Sequence, residues 1–153
     1  MATVLANILV VDDDAVVRNT LCSVLGDEGY TVEAVEDGKK AIKACEKLPF
    51  DVALIDIKLP DMKGTELLSK LKKLHPKMIR IIVTGYPTLE TAVKAVNERA
   101  DGYVLKPFDV TRLLEMIRNL LAEKTNEYLS MMAENARAKD SAPTVKYQRP
   151  QNW

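Results

Sequence analysis

Charge of one sign, long apolar runs and clustered cysteines are all missing from this 153-residue chain, and each absence excludes a class of function. Lys plus Arg and Asp plus Glu both count 22, so the formal net charge is zero. Nothing therefore predicts nonspecific attraction to nucleic acid or to an anionic membrane. No apolar stretch approaches the roughly 20 residues of a membrane span. The start, Met1-Ala2-Thr3-Val4-Leu5-Ala6, lacks the charged opening and apolar run of a signal peptide. A cytoplasmic location is expected. Cys22 and Cys45 each fall on the apolar stripe of a predicted helix and have no CxxC spacing. They read as reduced thiols acting as small core hydrophobes, not as metal or redox groups. His75, the one histidine, precedes Pro76 in a loop and has no neighbouring ligand or nucleophile. No helix-turn-helix or ATPase motif follows residue 122.

What is present is an alternation. Hydrophobic residues make up 47% and charged residues 29%, which suits one well-buried globular domain at this length. Short apolar runs at 8–11, 30–35, 51–55, 79–83 and 102–105 alternate with segments of helical period. Val16, Val17, Thr20, Leu21, Val24 and Leu25 predict the first helix, with Gly29 just beyond its end. Asp37-Gly38 opens a second helix carrying Ala41, Ile42 and Cys45, which Pro49 terminates. Helix three runs from Gly64 to Leu74 with Leu67, Leu68 and Leu71 inward. Helix four follows Pro87, with Leu89, Ala92, Val93 and Val96 on one side. Asp109 caps helix five, which runs through Leu113, Leu114, Ile117, Leu120 and Leu121. Five β-α units with strands this apolar imply an α/β fold, a parallel sheet covered by helices on both faces. Ligands of such sheets bind outside the carboxyl ends of the strands.

Four of the five runs end in polar residues suited to one chemistry. Ile8 to Val11 empties into Asp12-Asp13-Asp14, and Val52 to Ile55 into Asp56. Ile79 to Val83, broken only by Arg80, ends in Thr84, and Tyr103 to Leu105 ends in Lys106. Carboxylates ~4 Å apart at an effective dielectric near 20 repel by roughly 4 kcal/mol per pair. Asp12, Asp13 and Asp56 on adjacent strand ends must therefore hold a proton or bind a cation. All-oxygen ligands with open water positions suit Mg2+, with Mn2+ as an alternative. A divalent cation beside an ammonium (Lys106) and a hydroxyl (Thr84) is equipment for a phosphoryl group. Carboxylates form aspartyl phosphates, and Asp56 is the candidate nucleophile. Asp14 reads as a cap of the next helix, because the adjacent pair already supplies metal ligands.

With those residues in view, the segment 5–122 resembles the receiver domain of two-component response regulators. It is similar to the chemotaxis receiver and to receivers of nitrogen-regulation-type activators. The matching segments are Ile8 to Asp14, Asp56 with Leu59-Pro60-Asp61-Met62-Lys63-Gly64, Ile82 to Tyr86, and Tyr103 to Phe108. The resemblance implies a flavodoxin-like (βα)5 three-layer sandwich with a five-stranded sheet of order 2-1-3-4-5. It implies phosphorylation of Asp56 by a sensor histidine kinase or a phosphotransfer protein. It further implies that Asp13, Asp56 and the Lys58 backbone carbonyl ligate Mg2+ directly, with Asp12 acting partly through water. Thr84 and Lys106 would hold the phosphoryl oxygens, the Lys106-Pro107 bond would be cis, and Thr84 and Tyr103 would form the switch. Lys58 and Tyr86, each two residues past a site residue, are expected to hinder the hydrolytic water.

Two rival functions are weaker. A phosphohydrolase of the haloacid-dehalogenase type needs a second acid two residues after its nucleophile, and Lys58 stands there. A non-phosphorylated interaction module would not need the complete set of site residues. The expected function is thus signalling, not enzymatic turnover, with output through a face built from helix four, strand five and helix five. Its reader would be a downstream protein or an effector domain outside this sequence. The residues at 123–139 continue an apolar pattern (Leu114, Leu121 and Tyr128; Ile117, Lys124 and Met131) that fits a helical extension or linker. A homodimer through helices four and five, or through this extension, is the self-association that pattern allows. Residues 140–153 have the composition of a disordered tail.

Overall fold

The computed structural model describes residues 6–141. Its elements run β1 (Asn7–Val11), α1 (Ala15–Asp27), β2 (Thr31–Val35), α2 (Gly38–Lys47), β3 (Val52–Ile55), α3 (Gly64–Leu74), β4 (Ile79–Thr84), α4 (Leu89–Asn97), β5 (Gly102–Leu105) and α5 (Val110–Ser141). The strands form one parallel sheet in the order β2-β1-β3-β4-β5, the order that the resemblance implied. The central strands β1, β3 and β4 are buried almost throughout, whereas the edge strands β2 and β5 are half-covered. That gradient is why Val, Ile and Leu dominate the central runs.

Helix starts follow local chemistry. Asp14 accepts from the Val16 and Val17 amides, Asp37 from Lys40, and Asp109 from Thr111 and Arg112. Asp14 is thus a cap, as its position suggested. Thr88 and Thr91 cap α4 reciprocally. Gly29, with φ 92°, turns the chain out of α1 in a conformation that favours glycine.

Three expectations need amendment. Val16 and Thr20 of α1 are exposed, and Leu21 and Leu25 carry its buried face. On α4 the apolar side is not inward: Leu89, Val93 and Val96 are 82%, 48% and 74% exposed, and Ala95 is the buried residue. Cys45 is buried, with its thiol pushed up to about 11 by burial, whereas Cys22 is only half-buried; both are free. Arg80, the interruption in β4, is buried, and its guanidinium donates to the Leu68 and Arg99 carbonyls at 2.9 Å each. A charge is tolerated there because it binds main-chain oxygens of the neighbouring segments. His75 donates from Nε2 to the Cys45 carbonyl at 2.7 Å, joining the end of α3 to α2.

The chain divides into two compact units between Leu120 and Leu121. In the first, α5 buries Leu113, Leu114 and Ile117. In the second, Tyr128, Leu129, Met131 and Met132 are exposed. The helix continues through Asp140 and Ser141, where a tail was expected to begin; the rest of that stretch, 142–153, lies outside the described residues. No helix among the described residues is long and apolar enough to cross a membrane.

Candidate phosphoacceptor and metal site

Sheet register brings the site together. Val11 pairs with Ile55, so Asp12 and Asp56 leave adjacent strands side by side. Thr84 pairs with Leu105, so Lys106 emerges next to the end of β4. Main-chain bonds hold these ends: the Asp56 amide donates to the Val11 carbonyl at 2.9 Å and the Lys106 amide to the Thr84 carbonyl at 2.8 Å. The peptide bond between Lys106 and Pro107 is cis.

Asp12, Asp13 and Asp56 each present a carboxylate oxygen within 4.8 Å of the other two. Asp12 and Asp56 are buried and Asp13 is exposed, so the cluster opens to water on one side. Lys106 Nζ reaches into it, 2.5 Å from Asp12 Oδ2 and 3.3 Å from Asp56 Oδ2. Burial pushes the Asp12 carboxyl above its usual value, although Lys106 and the Asp14 amide pull the other way. Burial works against the Lys106 ammonium as well, yet Asp12 and Asp56 outweigh it and hold its pKa above the ordinary lysine value. The donor set is three hard oxygens with room for water, which fits Mg2+ and not a soft thiophilic ion.

Thr84 is fully buried at the end of β4, and its Oγ1 accepts from the Tyr86 amide at 3.1 Å. Tyr103 is partly buried against the core, with its hydroxyl 3.4 Å from Thr91 Oγ1 on α4. Lys58 and Tyr86 meet each other, the ammonium lying 4.3 Å from the ring centroid. They wall a cleft of about 600 Å3 that also touches Met62, Thr65, Thr91 and Lys94. Two residues had drawn no role from the sequence. Thr91 links α4 to Tyr103, which only the fold reveals. Asp61 accepts from the Gly38 and Lys39 amides of α2 at 2.9 Å each. A carboxylate between Pro60 and Gly64 was the available hint, but its partner lies more than 20 residues upstream.

An acidic trio and a lysine thus meet at the carboxyl edge of a 2-1-3-4-5 parallel sheet. The family model of the response regulator receiver domain matches residues 8–118, and the chain belongs to that family. It is 35% identical over 129 residues to the DNA-binding transcriptional regulator NtrC of Proteus hauseri, covering 84% of this chain and 27% of that protein. It thus spans about a quarter of the length of such curated relatives. Among solved structures, the CheY-like receiver domain protein of Methanospirillum hungatei is 45% identical with a TM-score of 0.79, covering 80% of this chain and 98% of that one. A response regulator protein of Burkholderia pseudomallei, solved with a phosphorylated aspartic acid, a calcium ion and citrate, is 32% identical with a TM-score of 0.70. That likeness covers 82% of this chain and 74% of the other. Receiver domains are signalling modules of two-component systems.

Proposed function

We propose that this chain is a phosphoacceptor whose body spans residues 5–122, and that Asp56 takes a phosphoryl group from a sensor histidine kinase or phosphotransfer protein. The observation that carries this reading is the approach of the Lys106 ammonium to Asp56 inside the three-carboxylate cluster. An Asp56 carboxylate oxygen forms the new bond to phosphorus as the bond from phosphorus to the donor's nitrogen breaks, and the donor leaves with its electron pair. Asp13, Asp56 and the Lys58 carbonyl would hold Mg2+, with Asp12 acting partly through water, and the ion would neutralise the phosphoryl oxygens. Lys106, already poised between Asp12 and Asp56, swings its charge onto the transferred group, and the Thr84 hydroxyl donates to it.

The added charge biases a packing switch. Thr84 turns toward the phosphoryl group, and Tyr103, whose hydroxyl now meets Thr91, turns further inward. The α4-β5-α5 face then changes for a downstream protein or an effector domain beyond this sequence. The segment 123–139 serves as a helical extension, and its exposed side chains, like those of α4, are the surfaces for self-association.

Lys58 and Tyr86 prolong the signal. Their side chains stack on each other two residues beyond Asp56 and Thr84, and this pair hinders the water that attacks the acyl phosphate in line. Tyr86→Ala should therefore shorten the adduct's half-life; an unchanged half-life removes that role. The function itself is tested by incubating the protein with acetyl phosphate and Mg2+ and weighing it. One phosphoryl adduct is expected, absent without the metal and absent in Asp56→Asn. An adduct that survives in Asp56→Asn contradicts the assignment.

A further inference from the structure

The loop between β3 and α3 is tied at its base and at its tip. At the base, the Gly64 amide donates to the Ile57 carbonyl at 2.7 Å, and Lys58 and Lys63 form an isolated antiparallel bridge. The main chain closes so tightly that a Cβ on Gly64 would stand 2.7 Å from Ile57 Cα and collide with the Asp56 carbonyl oxygen. At the tip, Asp61 leaves its own loop. Its Oδ1 accepts from the Gly38 amide and its Oδ2 from the Lys39 amide, both at 2.9 Å.

A helix start leaves four amides without a partner inside the helix. In α2, Asp37 takes one of them, the Lys40 amide, through its side chain, while its carbonyl accepts the first bond of the helix itself, from Ala41. Asp61 takes two more, those of Gly38 and Lys39, and a carboxylate is favoured there by the helix dipole. The local residue Asp37 caps the helix through hydrogen bonds to α2 itself, to Lys40 and Ala41. Asp61 caps the same helix and fixes that loop in space. Met62 extends the tie, because its thioether occupies the place where a side chain on Gly38 would begin.

We propose that Asp61 is a positioning residue for the phosphoacceptor site. By anchoring the loop tip on the first turn of α2 it sets the main chain at Lys58, whose amide lies 3.4 Å from Asp56 Oδ1 and whose carbonyl is the expected third protein ligand of the metal. This rests on the phosphoacceptor reading above. Asp61 is not among the residues that would hold the metal or the phosphoryl group, and it acts through Lys58. Outer partners that orient ligands typically change metal affinity by about 10–100-fold when removed.

Asp37→Ala supplies the control, since it removes a cap from the same helix and keeps the Asp61 carboxylate that ties the loop to it. Amide exchange is measured in the metal-free protein, and Mg2+ affinity by calorimetry. Asp61→Ala should speed exchange at Lys58 and Gly64 and weaken Mg2+ binding about tenfold. Asp61→Asn, which keeps one acceptor, should fall between it and the parent. Asp37→Ala should leave both readouts near the parent while speeding exchange in α2. Equal losses of Mg2+ affinity in Asp37→Ala and Asp61→Ala would reduce Asp61 to a helix cap and overturn the proposal, as would unchanged exchange at Lys58 and Gly64. Failure of the parent protein to bind Mg2+ or accept a phosphoryl group refutes the functional reading instead. The metal-free exchange still reports on the anchor.

Discussion

Helices α3 and α4 carry apolar residues at similar spacing, yet the molecule treats them in opposite ways. In α3, Leu67, Leu68 and Leu71 are completely buried. In α4, the large residues Leu89, Val93 and Val96 face outward, and Ala95 makes the buried contact. Burying a leucine contributes about 1.5–3 kcal/mol, and an alanine far less. By this measure α3 is locked to the sheet and α4 is lightly seated, tied through Thr91 to Tyr103. A lightly seated element is the kind that can change position at small cost. The contrast separates a firmly packed helix from the one to which the proposed function assigns the report of the site's state.

The contrast can be broken most forcefully in the core. Leu68→Ala should cost about 2–5 kcal/mol of stability in urea denaturation. A cost below 1 kcal/mol would mean that α3 is no better anchored than α4. A smaller effect is expected from acid titration of the metal-free protein. Burial holds the Asp12 carboxyl above its usual value, so the fold favours the protonated form. That contribution is complete below the unfolded pKa near 4 and is lost as pH rises through the higher folded value. Asp12 should therefore contribute a decline in the stability of the metal-free protein across that window, opposed by carboxyls such as Asp61 that are held below their usual value. Asp12→Asn should remove the Asp12 contribution. A profile identical in the variant would remove Asp12 as its source. The smallest effect belongs to the outward face of α4. Val96→Ala should change stability by no more than about 0.5 kcal/mol while weakening any partner that reads this face. A larger loss would show that Val96 is covered in solution.

Much of the site was legible because strand ends are marked locally. Apolar runs stopping at Asp12, Asp56, Thr84 and Lys106 located the carboxyl edge without any knowledge of pairing. The register that aligns Val11 with Ile55 then placed the carboxylates side by side. Helix starts at Asp14, Asp37 and Asp109 were readable for the same reason, since a cap acts within three residues. What escaped were facts of distant pairing. Periodicity marks an apolar face on α4 but is silent on whether this chain covers it. Arg80 looked like a blemish in a strand until the Leu68 and Arg99 carbonyls came within reach. Asp61 looked like a loop residue until α2 was folded beside it.

The link between the two regions is open to one direct measurement, amide exchange with and without Mg2+ and beryllofluoride as a phosphoryl mimic. Exchange should change at Asp56, Thr84 and Lys106, and with them across α4 and β5, while α3 keeps its protection. Changes confined to the site loops, with α4 and β5 unmoved, would contradict the coupling of phosphorylation to that face.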